Sequence, residues 1–501
     1  MAPIRKMLIV GGGTAGWMTA AWFSRTRNLP LDITLVESDD IGTVGVGEAT
    51  VPSFRRFNDI LGINEDELIR DTRATFKLAV EFVNWGAIGE RYYHPFGTNG
   101  RKLNGLPFHL AWLDSVLRGS DVPLGAYNLQ ALACDHAKFM RPEGENSPLA
   151  DITYALQFDA SLYAKFLRRL SEGRGVTRVQ GKITQVAQRD DGFIDAVVLD
   201  TGERLEADLF IDCSGFRGLL IGDTFKTPFI DWSHWLPCDR AVFTPSENHG
   251  PLLPYTRATA HTAGWQWRIP LQHRIGNGHV YASAFESDQS ATDTLLEHID
   301  GAPLVEPRFL KFRAGRRREF WTKNCVAIGL SSGFLEPLES TSIYLIQGAI
   351  GRLQVLFPDS GFPQAEIDTF NRETIREIED IRDFLILHYK LTRRDDSPFW
   401  THCRTMDVPD RLVERMDLFS SCGRIFEETR EQFGQASWLA VMAGQGLRPA
   451  ASEPNIVGIN QAAGGDGTTQ WLSDIRQTIQ ACCDHMPSHE AFLRAQKLYA
   501  S

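Results

Sequence analysis

Three glycines at fixed spacing are the first residues that could do chemistry. Gly11, Gly13 and Gly16 occupy the positions of G-x-G-x-x-G, with Thr14 and Ala15 between them. Glu37 follows about 20 residues later, the distance at which an acid meets a ribose hydroxyl. Such a loop binds a pyrophosphate through backbone N–H groups and the N-terminus of the next helix. The pattern predicts an adenine dinucleotide. The elements that position it are legible too. Met7-Leu8-Ile9-Val10 reads as a buried strand, the glycines as a turn opening a helix, and Ile33-Thr34-Leu35-Val36 as a second strand ending at Glu37.

Other segments return to the same crevice. In Gly42–Pro52 the glycines leave a backbone that a cofactor can approach closely. Leu162, Phe166, Leu167 and Leu170 have helical spacing. Short strands are predicted at 182–187, 194–199 and 205–211, ending in Asp212-Cys213-Ser214-Gly215. Cys325–Gly329 reads as another buried strand, broken at Leu330–Gly333 and followed by a helix over 340–357. Ile367, Phe370, Ile375, Ile378, Ile381 and Leu385 predict a long amphipathic helix.

The class is therefore α/β: a Rossmann-like dinucleotide-binding domain with an interleaved, largely helical substrate lobe. The cofactor domain is expected from 1–75, 155–225 and 315–358, and the lobe from 76–154, 226–314 and 359–501.

Composition narrows the partners. The 501 residues carry 52 Lys plus Arg against 63 Asp plus Glu, a net charge of −11. That excess of acid argues against nucleic acid and anionic membranes. No apolar run approaches the roughly 18 residues of a membrane span. Four apolar residues before Gly11 are too few for a signal-peptide core, so a cytoplasmic protein is expected. The eight cysteines form no C-x-x-C pair, and neither a metal site nor a redox cysteine is assigned.

Trp265 and Trp267 lie two apart in Gly264-Trp265-Gln266-Trp267-Arg268-Ile269-Pro270, hence on one face of a strand. That segment resembles, letter for letter, the W-x-W-x-I-P signature of flavin-dependent halogenases, in which the tryptophans are proposed to stop the flavin acting as a simple monooxygenase. Other segments resemble that family in its order. They are Gly11–Trp17, Val46–Pro52, Phe76-Lys77 with Phe82–Trp85, and Ser331–Thr341. The similarity runs over most of 5–445, and the tryptophan halogenases are the most similar branch.

The resemblance implies that the Rossmann-like domain is an FAD-binding one of flavin monooxygenase type, and it implies roles. FAD would bind at Gly11–Gly16, Glu37, Gly47, Glu48, Ala49 and Gly329, in reduced form supplied by a separate flavin reductase. Chloride or bromide would bind amides at Thr341 and Ser342. Hypohalous acid would travel to Lys77, with Glu339 beside it. His94 and Phe96, from Tyr93-His94-Pro95-Phe96, would hold an aromatic ring against Trp438.

Two departures stand out. Relatives have Gly at Ser342, which touches the halide site. They have two tyrosines at Trp438-Leu439, in the region that grips the amino-acid end of tryptophan. Losing those polar groups disfavours a zwitterion and points to free indole or an indole derivative. An aromatic monooxygenase on the same scaffold, or a non-catalytic flavin binder, remains open at this point. Lys77 and Glu339 together favour the halogenase.

Overall fold

The computed structural model describes residues 2–25, 31–39, 47–427 and 431–499. The 42–46 part of the glycine-rich stretch lies outside them.

The first apolar run forms a central strand. Lys6–Val10 pairs in parallel with Asp32–Glu37 on one side and Leu209–Asp212 on the other. Thr177–Gln180 and Cys325–Ala327 extend the sheet outward, and Trp321–Thr322 closes one edge antiparallel. Both faces are covered, which is why the run is apolar without alternation. Met7, Ile9, Leu35 and Ile211 enter the main core. Leu8, Val10, Val36 and Phe210 enter a second core with Ile194 and Val197.

That second core lies under an antiparallel sheet of Ile183–Gln188, Ile194–Leu199 and Arg204–Glu206. The single strand expected over 205–211 is therefore two. Arg204–Glu206 stays in this small sheet, and Leu209–Asp212 crosses to the central one. Periodicity cannot mark such a change of sheet inside one apolar run.

Helices of the other lobe include Phe108–Leu117, Gln364–Lys390, Gln435–Gly444 and Thr469–His485. The piece 226–314 instead supplies most of a seven-stranded sheet. Its order is Arg308–Lys311, Arg240–Ser246, Ile275–Tyr281, Gly264–Pro270, Tyr255–Ala260, Ala79–Val83 and Arg91–Pro95. Neighbours are antiparallel except Tyr255–Ala260 with Ala79–Val83.

A further sheet joins cofactor loop and lysine. Ala155–Asp159 pairs with Gly47–Ala49 on one edge and Thr75–Lys77 on the other. Lys77 is thus on a buried strand, separated from that of Glu48 by the one strand between them. The helix expected from 340 begins at Ser342 and runs to Val355. Glu339 and Ser340 immediately before it take φ of 64° and 60°, a left-handed bend that a helix cannot contain.

Candidate active site

A cavity of about 460 Å³ opens at the C-terminal end of the central strand. Val10–Ala15, Glu37, Gly47–Ala49, Trp265, Trp267, Gly329 and Leu335–Ser342 all line it. The first helix, Thr14–Ser24, starts there with Gly13 at its cap, no side-chain cap and no acid in its first turn. Its N–H groups are left for a ligand. Gly11 has φ of +112°, and a Cβ there would run into the Cys213 carbonyl. A Cβ on Gly13 would meet nothing within 4 Å, so that backbone faces open space. This cradle fits a dinucleotide pyrophosphate. Glu37 folds over Gly12, its Oε1 accepting from Arg178 Nε at 2.5 Å. Burial pushes the Glu48 carboxyl up to about 7.

Gly264–Pro270 is buried throughout. Trp265 and Trp267 sit with ring centroids 6.3 Å apart, both on the cavity wall. The Trp267 ring occupies the space a Cβ of Gly278 would need. Trp265 Nε1 donates to Glu336 Oε2 at 3.3 Å.

A second helix N-terminus meets the same cavity. Thr341 caps Ser342–Val355 with no side-chain bond and no acid in the first turn. The Thr341 and Ser342 amides therefore form a place where an anion would be stabilised.

Behind this wall lies a buried polar cluster. Lys77 Nζ donates to Thr50 O at 3.1 Å and to Ser340 Oγ at 2.9 Å. Burial pulls the Lys77 ammonium down to about 8, while the Glu339 charge pulls it up. Phe96 presents its ring 5.4 Å from Nζ. Glu339 Oε1 accepts from His94 Nδ1 at 2.7 Å and from His388 Nε2 at 3.0 Å. Burial alone would raise the Glu339 carboxyl, but the two imidazoles outweigh it and hold it well below the usual carboxylate range. Both bonds fall on Oε1, and neither on Oε2.

His388 carries a further constraint. Its Nδ1 lies 2.9 Å from the Phe384 carbonyl and must donate to it. For the Nε2 contact to bond as well, a second proton must lie between Nε2 and Oε1.

Lys77, Glu339, His94 and Phe96 are thus brought together. Trp438 joins them indirectly. Its ring meets Phe384 edge-on at 5.1 Å, and Phe384 stacks on Phe433 at 3.9 Å and meets His94 at 5.6 Å. The Arg415 guanidinium lies 4.4 Å over the other part of Trp438. Between His94 and Trp438, where a sandwich about a bound ring was expected, stand Phe384 and Phe433. His388 and Phe384, one turn apart on the long helix, were not anticipated. The signal for them was a histidine continuing an apolar helical face past Leu385.

A family model described as tryptophan halogenase matches residues 6–461. The chain belongs to the tryptophan halogenase family. It is 36% identical to tryptophan 7-halogenase RebH of Lentzea aerocolonigenes, over 98% of this chain and 99% of that one. It is 36% identical to tryptophan 6-halogenase SttH of Streptomyces toxytricini, with 98% of each covered. Among solved structures it resembles BrvH, a flavin-dependent halogenase from Brevundimonas sp. BAL3, with TM-score 0.94 and 46% identity over 98% of this chain and 99% of that one. It also resembles Xcc4156, a flavin-dependent halogenase from Xanthomonas campestris, with TM-score 0.95 and 44% identity over 100% and 99%. The halogenase is thus an enzyme that uses reduced flavin and halide, and the open choice between halogenase and monooxygenase closes on the former.

Proposed function

We propose that this halogenase modifies an indole ring through hypohalous acid delivered to Lys77. The observation that carries the reading is the buried cluster behind the cavity wall. Lys77 donates to Ser340 there, the Glu339 charge acts on it, and an aromatic ring lies against the ammonium. FAD, reduced by a separate flavin reductase and supplied with O2, provides the oxidising power that turns halide into hypohalous acid. Gly11, Gly13, Thr14, Ala15, Gly16, Glu37, Gly47, Glu48, Ala49 and Gly329 would hold it, with Trp265 and Trp267 on the wall of the same cavity. Thr341 and Ser342 hold the halide.

Two of the Lys77 N–H bonds are spent on Thr50 and Ser340, and the third donates to the hypohalous oxygen. This orients the halogen and makes it a better electrophile. As the ring carbon attacks, positive charge grows on the ring. Glu339 Oε2, fixed by two imidazoles on Oε1, stabilises that charge and takes the ring proton. Ser342 adds a side chain beside the halide amides. Bromide, which is easier to oxidise, should be used at least as well as chloride.

Curated relatives are named for tryptophan, so an indole ring is the substrate class. Trp438 and Leu439 are both buried on Gln435–Gly444 and bring no partner for an ammonium or carboxylate. Free indole, or a neutral derivative, should therefore react faster than tryptophan and at its most nucleophilic carbon, C3. The test is turnover of indole and tryptophan with FAD, a flavin reductase and chloride or bromide, read by mass spectrometry and NMR. Clean benzo-ring halogenation of tryptophan, faster than any reaction of indole, sinks the substrate assignment. Full activity in Lys77→Ala sinks the mechanism.

A further inference from the structure

We propose that Glu336 is a hydrogen-bonding station for hypohalous acid on its way from the flavin cavity to Lys77. The inference rests on the reading that hypohalous acid makes that passage.

Glu336 lies three residues before Glu339 and lines the same cavity as Trp265, Glu339 and Ser340. It is only 1% exposed. Its Oε2 accepts from Trp265 Nε1 at 3.3 Å and from Tyr389 OH at 2.9 Å. Its Oε1, fully buried, meets no protein partner. Among the described residues no cation pairs with it. The titratable groups packed around it are the Tyr389 hydroxyl and the Cys238 and Cys403 thiols, all kept neutral by burial.

A buried carboxyl without a counter-charge keeps its proton, and burial raises this one to about 7. Two donors already fill Oε2, so the acid proton belongs on Oε1. That leaves a buried O–H donor, on a residue that lines the cavity, with no acceptor of its own. An unmet donor in a dry wall is costly unless a ligand meets it. Hypohalous acid suits it, being small and neutral and carrying an oxygen acceptor. A halide ion has a better seat at the Thr341 and Ser342 amides, where the helix end favours negative charge. The tryptophan of the signature motif thereby gains a second task. Through Nε1 it helps to fix which oxygen of Glu336 carries the proton.

The test compares wild type, Glu336→Leu and Glu336→Gln with FAD, a flavin reductase, bromide and indole. Flavin oxidation, hypobromous acid escaping to a trap, and bromoindole formed are measured together. Glu336→Leu should oxidise flavin at the wild-type rate yet yield about fivefold less product per flavin, the occupancy lost with one hydrogen bond. The trap should gain what the product loses. Glu336→Gln keeps a donor and should restore the yield. Wild-type yield should also fall as pH rises through about 7, where Glu336 loses its proton. The Gln variant should lack that fall, while sharing any loss due to Lys77 or to the acid itself.

Wild-type product per flavin in Glu336→Leu overturns the proposal. So does a Leu variant whose only change is a higher KM for bromide. Should Glu336→Leu fail to hold FAD, a Gln variant that follows the wild-type pH curve overturns it instead. Failure of the underlying passage looks different, because Lys77→Ala would then keep full product.

Discussion

Lys77 sits where two charge states are within reach, and its bonds say which one works. Nζ donates to Thr50 O and Ser340 Oγ beside a carboxylate held ionised, an arrangement suited to an ammonium. Its pKa of about 8 lies well below the ordinary lysine value. The protonated form dominates below that pH, so the third N–H is available there and is lost above it. Halogenation of indole per hypohalous acid supplied should therefore decline as pH rises through about 8. A yield that instead climbs across that range would mean the neutral amine carries the halogen. Glu339 depends on its imidazoles in the same way. Replacing His388 with Gln removes a charge-assisted bond to Oε1. Product formation should drop about tenfold or more, the value of one such bond, with FAD affinity unchanged. An unaltered rate in His388→Gln would show that His94 alone suffices. Lys77, Glu339, His94 and Phe96 were legible because each stands in a short motif. His388 was not, since it lies inside a helix and acts only through long-range packing.

Helix ends and strand ends build the cavity, and a single methyl group separates folding from binding there. A Cβ on Gly11 would strike the Cys213 carbonyl, so any side chain at that position disturbs the sheet itself. A Cβ on Gly13 would touch nothing within 4 Å. Gly13→Ala should therefore leave the melting temperature of the flavin-free protein unchanged. It should weaken FAD by about tenfold or more, because the methyl group fills the space a pyrophosphate needs. Equal FAD affinity in Gly13→Ala would move the pyrophosphate elsewhere. These elements were read well from sequence. The central strand, its helix and Glu37 follow from an apolar run, a glycine pattern and an acid. The seven-stranded sheet was less legible. Its strands Gly264–Pro270 and Ile275–Tyr281 are buried on both faces, so they show no alternation that marks a strand. The start of the helix at Ser342 was also missed by two residues, because the left-handed turn at Glu339 and Ser340 uses residues that rarely adopt it.

At the scale of the whole chain, the number of nucleotide sites decides where the electrons come from. Parallel pairing around a glycine fingerprint occurs once, at Lys6–Val10 between Asp32–Glu37 and Leu209–Asp212. The hairpin sheet of Ile183–Glu206 and the sheet holding Lys77 are antiparallel. In the seven-stranded sheet the one parallel pair, Tyr255–Ala260 with Ala79–Val83, carries no glycine fingerprint. Among the described residues there is thus one crevice of dinucleotide type, and FAD is assigned to it. Trp265 and Trp267 stand on its wall, where a nicotinamide ring would otherwise have to approach the flavin. Hydride transfer needs the two rings in contact, so the proposed supply of reduced FAD by a separate reductase fits a chain with one nucleotide seat among its described residues. The purified protein should therefore oxidise NADH no faster than buffer when FAD, halide and indole are present. Adding a flavin reductase should start both NADH consumption and halogenated product. Measuring NADH absorbance beside product decides the matter. Steady NADH oxidation by this chain alone, coupled to halogenation, would require a nicotinamide site that the fold, read in this way, does not provide.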